Sequence, residues 1–435
     1  MKYSDTVFTA RDLPLLVQPK IYKADEHRIP PDRIDQHAYY VIQKLRQAGH
    51  SAYLVGGGVR DLLLNERPKD FDVSTSAKPE EIKALFRNAI LIGRRFRLAH
   101  IRFGKKVIEV STFRAGDTET ADLIVRDNVW GNEEQDVLRR DFTINGLFYD
   151  PERQVVIDYV GGYLDLEKRI LRAIGQPEIR FSQDPVRMIR LIKFCARLNF
   201  EIHPPTFEAL LSCREEIVKS SSARIFEELL RMLESGASRS FFHLLNQYGL
   251  LRSLSPVLAR YLEKSTDSLT LRLLEQVDAE IKKNLPEPID RSLLLSILVF
   301  PLFDDHIREK SKAYEKPLHL GQIAEEAHRA IDQIFEPFFI LPRRMRSIVA
   351  LILTAQYRFL PIDNRHPRRP RAPRDPFFPL ALYLFKLRSQ LDSSLLPHYT
   401  LWTEASFASH SLPEGEAPRR RHRRRRRRRR DEPNV

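Results

Sequence analysis

The chain has 435 residues, of which 42% are hydrophobic and 30% charged, and a formal net charge of +14. That length exceeds one compact core and implies about two to four domains, while a count of only two cysteines excludes a disulfide-stapled secreted framework and any cysteine-rich zinc site. The longest apolar run, residues 293–303, is about half of what a bilayer crossing requires and contains Pro301, and the opening residues lack the basic-then-apolar layout of a signal peptide, so a cytoplasmic protein with no membrane partner is expected.

In chain order, residues 1–33 are mixed and punctuated by proline, as in an extended or loosely docked arm. Residues 35–47, with Ile34, Tyr39, Val41, Ile42 and Leu45, suit an amphipathic helix. Residues 52–55 form a short apolar strand broken by Gly56, Gly57 and Gly58, after which 59–64 reads as helix and 69–73 as a second strand. A helix opening at Pro79 is expected over 79–87, then strands at 90–92, 97–103 and 106–113. After about residue 165 the strand signals disappear. Helical periodicity runs through 185–198, 205–218, 223–233 and 239–248, with Gly236 and Gly249 where C-caps belong. It continues at 290–302, 319–336, 342–358 and 376–392. The pattern predicts an α+β chain: a mixed α/β head followed by an all-helical remainder. Cys195 and Cys213 fall in helical stretches and read as small apolar groups in a reducing compartment.

The charge excess is local. Residues 419–435 hold eleven arginines against Asp431 and Glu432, so this tail carries +9 and the remainder only +5. Arg419 to Arg430, interrupted by His422, cannot bury anything and is expected to be a disordered basic tail. It is read as a salt-sensitive, sequence-independent contact with RNA phosphates, against the blander reading of a solvated charge run.

Three clusters carry chemistry. A glycine turn between strand and helix presents backbone N–H groups and a positive helix end to an anion, and Arg60 lies one turn in. Alone, such a turn is equally often an ordinary tight corner. Asp70 and Asp72 give it weight, because residues i and i+2 of a strand project to the same side. Glu109, in the apolar run 107–110, supplies a third acid, and three carboxylates can hold two divalent ions against a nucleoside triphosphate. The second cluster is Arg139-Arg140-Asp141 with Asn145. It reads either as a charged helix start, or as arginines on phosphates with Asp141 and Asn145 on ribose hydroxyls or the metal site. In the third, Asp184 suits an N-cap and Pro185 the first helical position, while Arg187 and Arg190 share a face that can meet a base edge without a template.

Together these segments resemble the class II nucleotidyltransferases, the group of bacterial poly(A) polymerases and tRNA CCA-adding enzymes. The motifs occur in family order over residues 50–235: Gly57-Gly58-Val59-Arg60-Asp61 with Asp70 and Asp72; Arg139 to Asn145; Asp158-Tyr159-Val160-Gly161-Gly162 with Asp165; and Asp184 to Arg190. Residues 91–100, 109–114, 224–228 and 341–344, with the arginine-rich end, make the chain more similar to the polymerases. The resemblance implies a palm-like head over 34–165, a helical neck over 166–235, a body over 236–362, a C-terminal helical region over 363–410 and a basic tail over 411–435. It implies Asp70, Asp72 and Asp141 as catalytic acids, with Asp70, Asp72 and Glu109 around Mg²⁺ (Mn²⁺ as a substitute). Gly57, Gly58, Arg60, Arg140, Asn145, Asp184, Arg187 and Arg190 would bind the nucleotide. The expected reaction is ATP-dependent polyadenylation of RNA 3′ ends, with RNA turnover and its degradation machinery downstream. A CCA-adding enzyme is the nearest rival and a non-catalytic RNA-binding protein the more distant one. The chain departs from the family in having Gln183 where Glu is usual, which removes a charge beside the base-reading arginines.

Overall fold

The computed structural model describes residues 18–93, 98–116, 129–283, 288–313, 318–336, 338–360 and 372–410. Residues 94–97, the greater part of the Pro/Arg linker, and the basic tail lie outside them. The chain divides into two compact units, Met1–Ala350 and Leu351–Val435.

The first unit is built on an eight-stranded sheet of β1 (Lys20–Tyr22), β2 (Ala52–Val55), β3 (Asp72–Thr75), β4 (Ala89–Ile92), β5 (Leu98–Phe103), β6 (Lys106–Thr112), β7 (Leu147–Asp150) and β8 (Val155–Asp158), in the order β1-β8-β7-β2-β3-β6-β5-β4. The pair β3–β6 is parallel and the neighbours β2–β3 and β5–β6 are antiparallel. Because side chains alternate along a strand, the sheet builds two cores. Leu54, Val73, Ile108 and Val110 share one core with Ala38, Val41, Ile42 and Leu45 of the helix Gln36–Gln47. Asp35 fixes that helix start, its Oδ1 accepting from the backbone N–H groups of His37 and Ala38 at 2.9 and 3.1 Å. On the other face Val55, Phe148, Val155 and Ile157 pack with Phe113 and Val137. It is this face that carries the acids of the site.

Four features differ from the sequence pattern. Lys20–Tyr22, in the expected arm, pairs with β8, and Tyr22 is buried and stacked on Tyr163 at 3.9 Å. The hairpin β7–β8 escapes a period-two search because every residue of its two strands is buried, so no exposed positions alternate with the buried ones. β3 begins at Asp72, leaving Asp70 in the loop before it. Finally, a short parallel pair, Ile170–Leu171 with Glu201–Ile202, lies where only helix was expected.

Helices dominate from Pro177 onward: Pro177–Gln183, Val186–Leu198, Pro204–Cys213, Ser222–Leu233 and Ser238–Gln247 follow one another closely. Gly249, at φ +85°, follows the last of these in the left-handed conformation that glycine adopts without strain. The apolar run at 293–303 belongs to a longer helix, Arg291–Ala313, which keeps Pro301 inside it and is buried over most of its first half. Both cysteines are free; Cys213 is buried and Cys195 half-buried, and burial pushes both thiols up. In the second unit, Phe378–Leu391 and Leu396–His410 pack around Phe359, whose carbonyl accepts from Trp402 Nε1 at 3.2 Å. Among the described residues no helix is long and apolar enough to cross a membrane.

Candidate active site

The glycine turn closes directly onto the acids. Gly56 ends β2 at φ +70°, ψ −137°, a backbone conformation that side chains resist, and caps the helix Gly57–Leu63. A Cβ on Gly56 would lie 3.4 Å from Arg140 Nη1 and 4.0 Å from Asp72 Oδ2. A Cβ on Gly58 would lie 3.1 Å from the backbone oxygen of Asp70. The turn is thus held by close backbone approach to the acid-bearing loop, which only glycines permit at this spacing.

Across the sheet, Val55, Asp72, Glu109 and His100 stand in register on β2, β3, β6 and β5. Parallel pairing of β3 with β6 therefore sets Glu109 beside Asp72 although 36 residues separate them in sequence. Burial pushes the Asp72 carboxyl up to about 6, and the negative charges of Glu109 and Asp70 add to the rise while Arg140 opposes it. Glu109 also lies 3.3 Å from His100 Nε2. Phe71 between the two aspartates is buried while Asp70 is exposed, so the alternation expected of a strand persists although the strand itself starts at Asp72.

The remaining expected site residues form a second, fully paired network. The Asp141 carboxylate accepts from Arg187 Nε at 2.7 Å and from Arg190 Nη1 at 2.6 Å. Burial alone would raise its pKa, but the two guanidiniums hold it far below the usual carboxylate range. Arg190 continues to Glu228 at 3.0 Å, which also takes Lys193 at 2.6 Å. The side chain of Asp184 makes no helix cap. Its two oxygens accept from Arg224 at 2.9 and 2.8 Å, and Pro185 occupies the N-cap position of the helix Val186–Leu198. A bidentate guanidinium partner outcompetes the cap because both of its bonds are charge-assisted. Gln183 accepts from buried Arg180 at 2.9 Å, and Arg180 in turn donates to the carbonyls of Arg139 and Arg140 at 2.6 and 2.9 Å. Gln183 thereby supports the arginine pair from behind.

Arg60 is buried. Its guanidinium donates to Asp61 at 2.9 and 2.6 Å and to Asn145 Oδ1 at 2.7 Å, and stacks on Phe194 at 5.0 Å. Arg197 reaches the other oxygen of Asp61 at 3.5 Å, tying the helix Gly57–Leu63 to the helix Val186–Leu198. Arg140 sits between the two networks, donating to Asp136 at 2.8 Å and Ser74 Oγ at 3.3 Å and lying over the Phe148 ring at 5.5 Å. Sequence reading did not single out Asp61, Asp136 or Ser74. The acid three and four residues ahead of Arg139 and Arg140 was a visible helical pairing signal.

The structure thus brings Gly56, Asp70, Asp72, Glu109 and Arg140 together and sets Asp141, Arg187 and Arg190 in a neighbouring ion-paired cluster. Among the described residues no three His, Cys, Asp or Glu side chains are drawn close enough to cage a metal ion. The chemistry of the acids nonetheless suits a hard divalent cation: they are oxygen donors, and Asp72 and Glu109 stand in register on neighbouring strands with Asp70 two residues before Asp72.

Comparison with known proteins places this geometry. The chain superposes on the crystal structure of the Bacillus stearothermophilus CCA-adding enzyme in complex with CTP with a TM-score of 0.58, at 25% identity, over 87% of this chain and 83% of that one. The fold is that of the nucleotidyltransferases. Residues 52–172 match the poly A polymerase head domain, and residues 199–262 match the probable RNA and SrmB-binding site of polymerase A. Poly(A) polymerase I of Salmonella typhimurium is 36% identical over 419 residues, covering 91% of this chain and 87% of that protein. The chain belongs to the bacterial poly(A) polymerase family. A CCA-adding enzyme from Lactobacillus helveticus is 40% identical over 206 residues, covering 47% of this chain and 51% of that enzyme.

Proposed function

We propose that this protein adds adenylate residues to RNA 3′ ends without a template, using ATP. The observation that carries the reading is the register of Asp72 with Glu109 beside a glycine turn that packs on the Asp70 backbone, with Asp72 raised to about 6 by burial and by its acidic neighbours. The terminal ribose 3′-hydroxyl oxygen bonds to the α-phosphorus of ATP, the bond from that phosphorus to the β-bridging oxygen breaks, pyrophosphate departs and the hydroxyl proton is released. Asp70, Asp72 and Glu109 are the residues that would hold Mg²⁺ (or Mn²⁺); when bound, the metal lowers the pKa of the attacking hydroxyl and stabilises charge on the triphosphate. The turn Gly56–Gly58 offers backbone donors to the phosphates, Arg140 adds a fixed positive charge, and Asp184 with Arg187 at the start of the helix Val186–Leu198 would read the base. The +9 tail tethers RNA through its phosphates, and the tailed product is a substrate for RNA-degrading machinery.

Overall similarity favours this reading over CCA addition, since the poly(A) polymerase relative matches nearly the whole chain and the CCA-adding one about half. Purified protein with Mg²⁺ and a generic RNA oligonucleotide is expected to make long tails from ATP alone. No incorporation would refute polymerisation. A halt after C-C-A on tRNA lacking its end would reassign the chain to CCA addition.

A further inference from the structure

Asp136 lies outside every motif discussed so far. It is wholly buried at 0% exposure on the helix Glu133–Leu138, whose start is fixed by Asn132. Its carboxylate gathers four donors: Arg139 Nε at 3.0 Å and Nη2 at 2.5 Å, Arg140 Nη2 at 2.8 Å, and the backbone N–H of Arg114 at 3.2 Å. The last bond ties it to the chain just beyond β6, the strand of Glu109. Buried carboxylates are retained only with such compensation.

Arg140 explains what the compensation is for. Its Nη1 and Asp72 Oδ2 flank the same point, the missing Cβ of Gly56, at 3.4 and 4.0 Å. An arginine and a buried carboxylate this near would ordinarily close into an ion pair. Here the guanidinium is turned the other way, its Nη2 donating to Asp136 and Ser74 Oγ and its Nη1 to the Asn145 carbonyl. We infer that Asp136 is a positioning residue that holds Arg140 off Asp72, keeping the Asp72 carboxylate free for a divalent cation while leaving the arginine's charge at the phosphate side of the glycine turn. Without the Asp136 charge, Arg140 swings onto Asp72 and competes with the cation. This inference rests on the metal-binding reading of Asp72 given above.

The test is Mn²⁺ binding to the full-length protein, read by electron paramagnetic resonance of free Mn²⁺, with no substrate present. Asp136→Asn is expected to weaken Mn²⁺ binding about tenfold, the scale on which outer groups tune metal sites, and the added change Arg140→Gln is expected to restore it. Equal affinity in wild type and Asp136→Asn, or no recovery in the double variant, would overturn the inference. If Asp136→Asn does not fold, Ser74→Ala removes the other anchor of the same guanidinium; weaker Mn²⁺ binding, about twofold, supports the inference and unchanged binding overturns it. A wild-type protein that binds no Mn²⁺ would instead defeat the metal-binding reading itself, so the two failures are distinct.

Discussion

Two neighbouring groups of acids in this protein are treated in opposite ways. Asp72 stands in register with Glu109 and two residues after Asp70, and burial together with these acidic neighbours pushes it up to about 6. Asp141 is met by two arginines and is held far below the ordinary range. Both are aspartates in apolar surroundings, so burial pushes both pKa values up; what differs is the sign of the neighbouring charge. In the first group the acidic neighbours add to the rise that burial causes. In the second both carboxylate oxygens are paired, which ties Asp141 to the helix Val186–Leu198. A charged cluster therefore reveals its role by what is missing from it as much as by which residues it contains.

The comparison is sharpest at Asp72 and Asp141. Asp72→Asn is expected to lower AMP incorporation by ~10³-fold, the scale of losing a preorganised charge-handling group, measured as radiolabelled tail synthesis. The same variant should be more stable than wild type at pH 7 without divalent metal, by on the order of 2 kcal/mol. The sign follows from the raised pKa. Between about 4 and 6 the folded protein holds a proton that the unfolded chain has lost, so stability falls as pH rises through this window and the cost persists above it. Urea midpoints at pH 7 that fail to rise in Asp72→Asn would break the assignment of a raised Asp72 pKa in the folded protein.

Asp141→Asn should do the reverse to the fold, costing about 3 kcal/mol at pH 7 because it removes the charge that Arg187 and Arg190 share. Its wild-type contribution is present above the unfolded pKa and is lost in acid as pH falls below it, so wild type and variant converge at low pH. A variant as stable as wild type at neutral pH would mean that the ion pairs are not structural. Gly58→Ala, whose Cβ would press on the Asp70 backbone at 3.1 Å, should lower kcat about tenfold by displacing that acid, with little loss of melting temperature. The smallest effect belongs to Arg231→Ala, which removes a solvent-exposed pair with Glu227 and should change the urea midpoint by less than about 0.5 kcal/mol.

Much of the site was legible because its chemistry is local. The glycine turn, the aspartates two apart and the arginine pair are each contiguous, and local spacing determines which side chains share a face. The helical remainder was legible for the same reason, its apolar residues recurring at helical intervals. The hairpin β7–β8 was not, because a fully buried strand shows no alternation, and the sheet pairing of Lys20–Tyr22 depends on a partner some 136 positions away. Asp184 looked like a cap because capping is the local option for an aspartate before a helix; Arg224, distant in sequence, offers it a stronger partner.

The sequence by itself determined the order of the motifs, the α+β division and the identity of the acids, since these depend on residue type and short spacing. Only the tertiary structure decided which charges meet. Parallel pairing of β3 with β6 brings Glu109 to Asp72, and the docking of the helix Val186–Leu198 against the bend at Asp141 brings Arg187 and Arg190 to its carboxylate. Electrostatic energy falls with distance and rises with burial, so the same type of carboxylate is pushed up or held down according to contacts that spacing along the chain does not encode.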